Sequence, residues 1–589
     1  MEASRTTNRG SYERRRRQRR RRSILRLLAL GACVVAVVLL VALALRGCGD
    51  DTGDTVSTTV TSTADDTGAS SSTEGTETTS TARTTSTSGS TSSTAGVSGT
   101  VDISVSTGRA SPNTTVAPGE GDPDEPGDKR VPGTFYGPIQ TKFKGLTMFR
   151  GNASRTYYGE GPVPQNPQIV WKFGPMSGTS TNLGVTKTWT GTGWTGQPCI
   201  FERDGTTWVV FGAYDYKMHF LDAATGEKLL PDFKGGDIFK GTAVVDPDGY
   251  PLIYMGCRDN KWRILAIDRD EPTELFNLDA DELPNQIWND DWDSSTVIRN
   301  DYAFEGGENG HFYILKLNRG YDAQGKVTVD PQIVLDFTSW TQSEIDKLGS
   351  KDVGVENSPC LVGDRVYFSN SGGLITGLDV SATLKELDEG EAPAKGKDAY
   401  PVVFRYWTGD DTDATIVADE EGFLYVAQHS DSSRGVTERS KAVGQVFKID
   451  PRKTGEGETP LVWSQAITKV SGGEYGVWAT PCIYKGMLYI PTHGGALLGI
   501  DRQTGEIIWR KTIAPHTWAS CIVVDKTLIV GDTAGILHAW DVSDARIDPP
   551  VVWEYKVPSG SALESTPAVW KGEIFLGSRD GYFYCFGDK

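Results

Sequence analysis

Two short acidic segments contain the residues of this chain best suited to bind a cation. Asp290-Asp291-Trp292-Asp293 and Asp410-Asp411-Thr412-Asp413 each place three carboxylates within four residues. Carboxylates that are forced together either gain protons, because their pKa values rise, or bind a hard cation such as Ca²⁺, which prefers oxygen ligands. The residues predicted as Ca²⁺ ligands are Asp290, Asp291, Asp293, Asp410, Asp411 and Asp413.

The elements that must position these segments form a repeat of eight units. An alternating stretch that ends in Asp recurs along the chain, as in His219–Asp222 and Leu498–Asp501. In two units, Asp222–Gly226 and Asp501–Gly505, this Asp opens a turn, because Asp accepts backbone N–H bonds and Gly supplies positive φ. A phrase of small residues, such as Glu356-Asn357-Ser358-Pro359, precedes each copy. Four short strands per unit predict one blade of a β-propeller.

The last unit ends at Lys589 without its fourth strand. The missing strand is found near the start of the repeat region, where Pro167–Phe173 is similar to Pro550–Tyr555. We therefore predict an all-β, eight-bladed β-propeller over residues 136–589, with the N-terminal strand closing the last blade. Closure removes the exposed strand edges of an open sheet. The alternatives, eight unrelated hairpins or a solenoid, do not explain the displaced strand.

The residue that opens the innermost strand of each blade should point at one mouth of the central channel. These residues are Thr195, Lys240, Asp293, Glu356, Asp413, Trp478, Trp518 and Glu564. With Asn357 beside Glu356, they predict a site for a cation or polar ligand between aromatic walls. The alternative is that they are solvated loop ends and that the Trp side chains pack between blades.

The first 46 residues have the pattern of a membrane signal-anchor. Arg14 to Arg22 contains eight Arg, and the apolar run Leu27 to Leu45 follows. About 20 apolar residues cross a bilayer as a helix, and the Arg cluster holds the N-terminus in the cytoplasm. We predict a basic cytoplasmic segment over 1–23, a single transmembrane helix over 24–46, and a propeller outside the cytoplasm at the cell membrane. A lipoprotein attached through Cys48 and a cleaved signal peptide are the alternatives.

Residues 47–135 are predicted to be a disordered linker. From Asp51 to Thr100, 30 of 50 residues are Ser or Thr. Such a segment has almost no apolar surface to bury, so it cannot offset the entropy lost on ordering. A flexible chain of this length spans about 50 Å, which would hold the propeller away from the membrane.

Charge and cysteine content exclude several classes of partner and site. Residues 1–49 hold twelve Arg and two Glu, a charge of +10, so the net charge of −18 leaves −28 on residues 50–589. An acidic body is repelled by nucleic acid. The eight Cys form no CxxC pair, which argues against a zinc or thioredoxin-type site. We expect a monomeric body.

The repeat resembles a known family. Asp501-x-x-Thr504-Gly505-x-x-x-Trp509, with Thr480-Pro481 before it, resembles the PQQ-like β-propeller repeat of BamB-like and quinoprotein-type proteins. Met148–Asn152 also resembles the lead-in of such chains. The resemblance covers about 148–589, and the whole layout is similar to membrane-anchored actinobacterial members of unassigned role.

The resemblance implies two different functions. In the quinoprotein enzymes an adjacent Cys pair lies against PQQ, Glu, Asn and Asp hold Ca²⁺, and an Asp acts as base. This chain has no adjacent Cys pair, and Glu356, Asn357 and Asp413 are its nearest ligand-like residues. We therefore expect a binding or scaffold protein for envelope proteins or cell-wall components, without catalysis and without PQQ. The alternative is a PQQ- and Ca²⁺-dependent oxidoreductase, or a small-ligand sensor that uses the channel.

Overall fold

Eight sheets follow one another along the chain. Seven of them are built from four consecutive or nearly consecutive antiparallel strands, and the eighth joins the last three strands of the chain to Pro167–Phe173. The computed structural model describes residues 137–139, 142–182, 185–193, 196–430, 437–467 and 475–589. The predicted basic segment 1–23, membrane helix 24–46 and linker 47–135 lie outside these ranges, as does Thr195. Within them, no helix has the length and hydropathy needed to span a bilayer.

The first four blades share one strand order, from the channel outward. Their strands are Cys199–Arg203, Thr206–Gly212, Lys217–Asp222 and Phe233–Lys234 in blade 1; Val244–Val245, Leu252–Cys257, Lys261–Ala266 and Thr273–Asp279 in blade 2; Val297–Arg299, Tyr302–Gly307, His311–Lys316 and Gln332–Thr338 in blade 3; and Cys360–Val362, Arg365–Ser369, Leu374–Asp379 and Val402–Trp407 in blade 4.

Blades 5 to 8 repeat this order, with one exception in the last. Their strands are Val417–Ala418, Leu424–Ala427, Val446–Ile449 and Leu461–Gln465 in blade 5; Cys482–Tyr484, Met487–Pro491, Ala496–Asp501 and Ile507–Thr512 in blade 6; Ile522–Val524, Thr527–Gly531, Ile536–Asp541 and Val551–Lys556 in blade 7; and Ala568–Trp570, Glu573–Gly577, Phe583–Asp588 and Pro167–Phe173 in blade 8.

Shorter elements decorate the blades. Two-stranded ribbons pair Ser177–Asn182 with Val185–Thr190, Gly320–Tyr321 with Val327–Thr328, and His429–Ser430 with Tyr475–Gly476. The described helices are the α-helices Gln342–Leu348 and Glu438–Val443 and the 3₁₀ turns Ala280–Glu282 and Ser381–Leu384.

The closure predicted from the sequence is confirmed. Pro167–Phe173 pairs antiparallel with Phe583–Asp588, with Gln168 opposite Gly587 and Lys172 opposite Tyr584. The Asp588 carboxylate also accepts the backbone N–H of Gln165 at 3.0 Å. Blade 8 therefore joins the two ends of the repeat region, and the eight-bladed ring has no open strand edge at this position.

The repeat signature forms the contact between neighbouring blades. Trp463 on the outer strand of blade 5 donates its indole N–H to the Arg502 carbonyl of blade 6 at 3.0 Å. Gly505, at φ 79°, lies against this ring, and a Cβ there would come within 2.6 Å of it. Trp171 and Gly226 repeat this contact between blades 8 and 1. The Asp-x-x-Thr-Gly turn and the Trp of the preceding blade are therefore parts of one interface.

Residues 145–160, the plug segment, fill the channel along the innermost strands. This segment contacts all eight blades. Gly145–Leu146 pairs with Ile200–Phe201 in blade 1, and Gly159–Glu160 pairs with Val569–Trp570 in blade 8. In blades 2, 4 and 5 the backbone N–H groups of Val245, Leu361 and Ala418 donate to the carbonyls of Thr147, Ala153 and Ser154, respectively. Side-chain hydrogen bonds join Arg155 to Ser295 in blade 3, Tyr158 to Ile483 in blade 6, and Arg150 to Cys521 in blade 7.

Two fully buried arginines hold the plug segment in place. Arg150 donates to the carbonyls of Pro481 at 2.7 Å and of Thr480 and Cys521 at 2.8 Å. Arg155 donates to Pro359, Phe149 and Ser295 carbonyls at 2.7 to 2.9 Å. Charged donors on neutral carbonyls form strong bonds, and here they join blades that are far apart in sequence. The Met148–Asn152 motif therefore lies in the segment that joins the blades at the channel.

Candidate functional site

The predicted residues form a ring at one mouth of the channel, here called the mouth ring. In all seven blades where this residue is described, it stands four positions before the innermost strand, as Asp293 does before Val297. The common register brings the side chains to the same level around the axis. The described members are Lys240, Asp293, Glu356, Asp413, Trp478, Trp518 and Glu564.

A second ring lies beside the first and was missed in the sequence analysis. Its members, the turn ring, follow the second strand of each blade by one or two residues. They are Tyr214, Arg258, Glu308, Ser371, His429, His493, Thr533 and Arg579. Six of them donate a backbone N–H to the carbonyl two residues before their mouth-ring neighbour, as Glu308 does to Asp291 at 3.1 Å. The turn-ring residues share a position just after the second strand, but their residue types vary too much for the sequence to reveal the ring.

A lysine ammonium occupies the first acidic segment. Lys240 contacts the Asp293 carboxylate directly, and its Nζ lies 3.7 Å from Glu308 and 3.8 Å from Asp291. Arg258 donates to Asp291 at 2.5 Å. The side chains of Lys240 and of its three acidic neighbours are all at least nine-tenths buried. Burial raises the pKa of Asp291 to about 6, although Lys240 and Arg258 oppose the rise.

This cluster is also the one whose geometry suits a metal ion. Among the described residues, oxygens of Asp291, Asp293 and Glu308 converge within 4.8 Å of one another. Because the Lys240 ammonium already contacts these carboxylates, it supplies the positive charge that a metal would otherwise bring. The Ca²⁺ site predicted at the two acidic segments, including the half-buried Asp290 and the buried Asp410, stays a prediction.

The second acidic segment has different neighbours. The Ser371 hydroxyl lies 3.2 Å from Asp413 and 3.4 Å from Glu356, so it bridges two mouth-ring carboxylates. Asp411 lies 3.8 Å from the imidazole of His429. Burial raises the pKa of Glu356 well above its ordinary value, and the charge of Asp413 raises it further. Carboxyl groups are therefore crowded together in this part of the mouth.

Aromatic side chains form the adjoining part of the mouth. The rings of Trp478 and Trp518 meet edge to face at 5.8 Å, and the imidazoles of His429 and His493 lie 3.5 and 4.0 Å from Trp478. His516 and His493 share a hydrogen bond of 2.6 Å. Burial lowers the pKa of His493 to about 3, and His516 and His429 lower it further. His493 is therefore neutral at physiological pH, and this wall combines aromatic faces with a neutral imidazole.

Blades 8 and 1 complete the mouth with a mixed group. The Arg579 guanidinium lies 3.5 Å from Glu564 and packs over the rings of Tyr214 and Trp189, at 4.8 and 5.1 Å. Arg258 approaches the same Trp189 ring at 5.8 Å. Trp189 is carried by the ribbon Ser177–Asn182 with Val185–Thr190, so this ribbon reaches the mouth from outside the blade.

The residues present do not fit the PQQ and Ca²⁺ set that the resemblance implies. The Asn357 amide donates to Ser369 and to the Thr412 carbonyl, and its oxygen accepts the Ser369 N–H at 3.2 Å. This buried side chain is therefore used inside the fold and is not presented as a ligand. The sequence also contains no adjacent Cys pair.

Comparison with known proteins agrees with the repeat. Residues 409–588 match the family model described as outer membrane protein assembly factor BamB. BamB of Salmonella typhimurium is 23% identical over 168 residues, which cover 21% of this chain and 42% of BamB. Quinohemoprotein alcohol dehydrogenase of Comamonas testosteroni is 26% identical over 132 residues, which cover 20% of this chain and 18% of that enzyme. The resemblance to the PQQ-like repeat is confirmed.

The similarity of this PQQ-like repeat protein to those relatives is partial. The match spans less than half the length of the curated relatives. Among solved structures, BamB from Moraxella catarrhalis aligns with a TM-score of 0.42 at 15% identity, covering 66% of this chain and 94% of that one. A europium-containing methanol dehydrogenase aligns with a TM-score of 0.48 at 12% identity, covering 75% and 98%. Activity and partners do not transfer from these matches.

Proposed function

We propose that this protein is a non-catalytic propeller that binds partners in the cell envelope through the channel mouth. The observation that carries the proposal is the plug segment. Because residues 145–160 contact the innermost strand of each blade or the residues just before it, a ligand reaches the two rings from one side only. The mouth therefore acts as a docking surface and not as a passage.

The composition of the mouth supports binding to a partner. Trp, Tyr and Arg are the residues that most often dominate the energy of protein interfaces, and Trp478, Trp518, Trp189 and Arg579 lie together at this end. Buried carboxylates beside them would select among partners, since charge complementarity contributes specificity.

The name of one relative supports the same proposed role. The matched BamB proteins are named as assembly factors of the outer membrane. For this chain we propose envelope proteins or cell-wall components as partners. We also propose that residues 24–46 anchor it in the cell membrane and that residues 47–135 tether the body outside the cytoplasm, with attachment through Cys48 as the alternative.

Photocrosslinking in intact cells tests the proposal. A photoreactive amino acid at Trp478 should yield crosslinks to envelope components. The same residue at Val551, on the exposed outer strand of blade 7, is the matched control and should not yield them. Equal crosslinking from both positions, or crosslinks from Val551 alone, would contradict a partner site at the mouth.

The second candidate function is a quinoprotein-like oxidoreductase, which the similarity to quinohemoprotein alcohol dehydrogenase favours. Adding PQQ and Ca²⁺ to the purified chain decides between the two. Stoichiometric quinone absorbance with alcohol- or sugar-dependent dye reduction would support the oxidoreductase. We expect neither signal.

A further inference from the structure

Cysteine is the first residue of the innermost strand in three blades. Cys199, Cys360 and Cys482 begin this strand in blades 1, 4 and 6, and each side chain is fully buried. The Cys199 thiol donates to the carbonyl of Ala243 at 2.8 Å, across the joint between blades 1 and 2. Ala243 stands just before the innermost strand of blade 2. A cysteine that begins an innermost strand therefore faces the residue in that place on the next blade.

The facing place holds a different residue in each of the three joints. Ala243 of blade 2 corresponds to Ile416 of blade 5 and to Cys521 of blade 7, since each stands one residue before the innermost strand. The repeat register therefore sets Cys360 opposite an isoleucine and Cys482 opposite a second cysteine. Because neither alanine nor isoleucine can bond covalently to a thiol, the joint between blades 6 and 7 differs in chemistry from its two counterparts.

The two thiols of this joint are in contact. The Cys521 thiol donates to the carbonyl of Tyr489 at 3.5 Å, and Tyr489 is the residue paired opposite Cys482 in the sheet of blade 6. The thiols of Cys482 and Cys521 also hydrogen-bond to each other, and both are free thiols in the structure. A disulfide requires two cysteines with neighbouring backbones and side chains that point at each other. The innermost strands of blades 6 and 7 contact each other, so this joint has both features.

The plug segment covers the pair. Arg150 donates to the Cys521 carbonyl at 2.8 Å, and the Tyr158 hydroxyl accepts the backbone N–H of Ile483, the residue after Cys482, at 2.9 Å. Both thiols are fully buried. A reagent in solution therefore reaches them only before the plug segment packs, which is during folding.

We propose that Cys482 and Cys521 form a disulfide that joins the innermost strands of blades 6 and 7. This inference rests on one part of the proposed function, the location of the propeller outside the cytoplasm, where disulfides persist. The two thiols lose two protons and two electrons, and their sulfurs form one bond. The disulfide of an external thiol compound accepts both electrons and both protons and is reduced to two thiols. The new bond constrains the unfolded chain by closing the loop between the two strands.

Peptide mapping of the full-length chain, isolated from intact cells, tests the proposal. Unfolding in guanidinium chloride with N-ethylmaleimide and without reductant labels every free thiol and leaves disulfides intact. Trypsin then releases Cys482 in residues 470–485 and Cys521 in residues 512–526, with one cysteine in each peptide. We expect mass spectrometry to find these two peptides linked to each other, and to find them separate after reduction.

Two cysteine variants sharpen the test. Cys482→Ser removes one partner, so the peptide 512–526 should carry N-ethylmaleimide in full. Cys199→Ser is the matched control, because it changes the equivalent position of blade 1, and it should leave the link unchanged. If Cys482→Ser fails to fold, the wild-type peptides decide alone.

Complete labelling of Cys482 and Cys521 in the wild type would overturn the inference, and so would a link from either of them to a different cysteine. If both are labelled while Trp478 still crosslinks to envelope components, the inference fails and the proposed function stands. If the two peptides are linked while Trp478 gives no crosslinks, the disulfide stands and the docking role of the mouth fails.

Discussion

The plug segment and the channel mouth both bury charged groups, but they neutralise them differently. Arg150 and Arg155 direct their terminal nitrogens at backbone carbonyls of distant blades, where no carboxylate is needed. At the mouth, buried carboxylates meet other side chains instead. Asp291, Asp293 and Glu308 meet Lys240 and Arg258, and Glu356 and Asp413 meet Ser371.

This difference predicts two different responses. Hydrogen bonds to backbone carbonyls stabilise the plug without depending on a ligand, and guanidinium groups do not titrate near neutrality. Carboxyl groups that are buried close together gain protons more readily, as the raised pKa of Asp291 shows, so the stability of the mouth should depend on pH.

Removing a plug arginine should have the largest effect. Arg150→Met leaves three buried carbonyls without their donor, so we expect a loss of about 3 kcal/mol or more in unfolding free energy. Urea unfolding at pH 7.5 and pH 5.5 measures it, and the loss should be the same at both. Arg546→Met, an exposed arginine paired with Asp501, is the matched control. A loss below about 1 kcal/mol would show that the plug does not hold the blades together.

Removing the mouth lysine should have a smaller and pH-dependent effect. Lys240→Met leaves Asp291, Asp293 and Glu308 facing one another, so we expect a loss of about 2 kcal/mol at pH 7.5. At pH 5 protonation of Asp291 relieves part of the repulsion, and the loss should shrink. Lys571→Met, which removes an exposed pair with Glu202, should change stability little at either pH. A loss that is equal at both pH values would contradict the arrangement.

The titration of Asp291 should produce a smaller effect. Its folded-state pKa, about 6, exceeds the ordinary Asp value of 3.8, so the folded protein binds more protons than the unfolded chain between these values. The stability contributed by this proton is present below about pH 4 and is lost as the pH rises through 6. From pH 5 to 7.5 the wild type should therefore lose about 1 kcal/mol relative to Asp291→Asn. Parallel pH profiles of the two proteins would refute the raised pKa.

Chelation should have the smallest effect. If Lys240 supplies the positive charge at the first segment, EDTA should leave the Tm unchanged. A Tm that falls with EDTA, and no longer does so in Asp413→Asn, would instead support the Ca²⁺ site expected from the acidic segments.

The parts of the fold that recur could be predicted, because a period makes each copy evidence for the others. Trp171 and Trp509 mark the ends of blades, and the resemblance of Pro167–Phe173 to Pro550–Tyr555 indicated the closure. The mouth ring followed from the same register. All of its members except Thr195, which lies outside the described residues, stand where the repeat predicts.

The parts that occur once could not be predicted from the period. The plug segment has no second copy, and Arg150 bonds carbonyls more than 300 residues away. The turn ring recurs in place but not in residue type, so Tyr214, Glu308 and Ser371 share no pattern. The Gly306–Gly310 stretch forms a hairpin turn, yet its Glu308 lies 3.7 Å from the Lys240 ammonium of the preceding blade. Opposite charges meet here across blades, and sequence order does not reveal that contact.

Hydrogen–deuterium exchange of the full-length chain tests the contrast between the plug segment and the mouth most directly. We predict that residues 145–160 are among the most protected of the chain and that segments 290–293, 354–357 and 410–413 exchange faster. Rapid exchange in 145–160, or protection of the three mouth segments equal to that of the plug segment, would contradict this contrast.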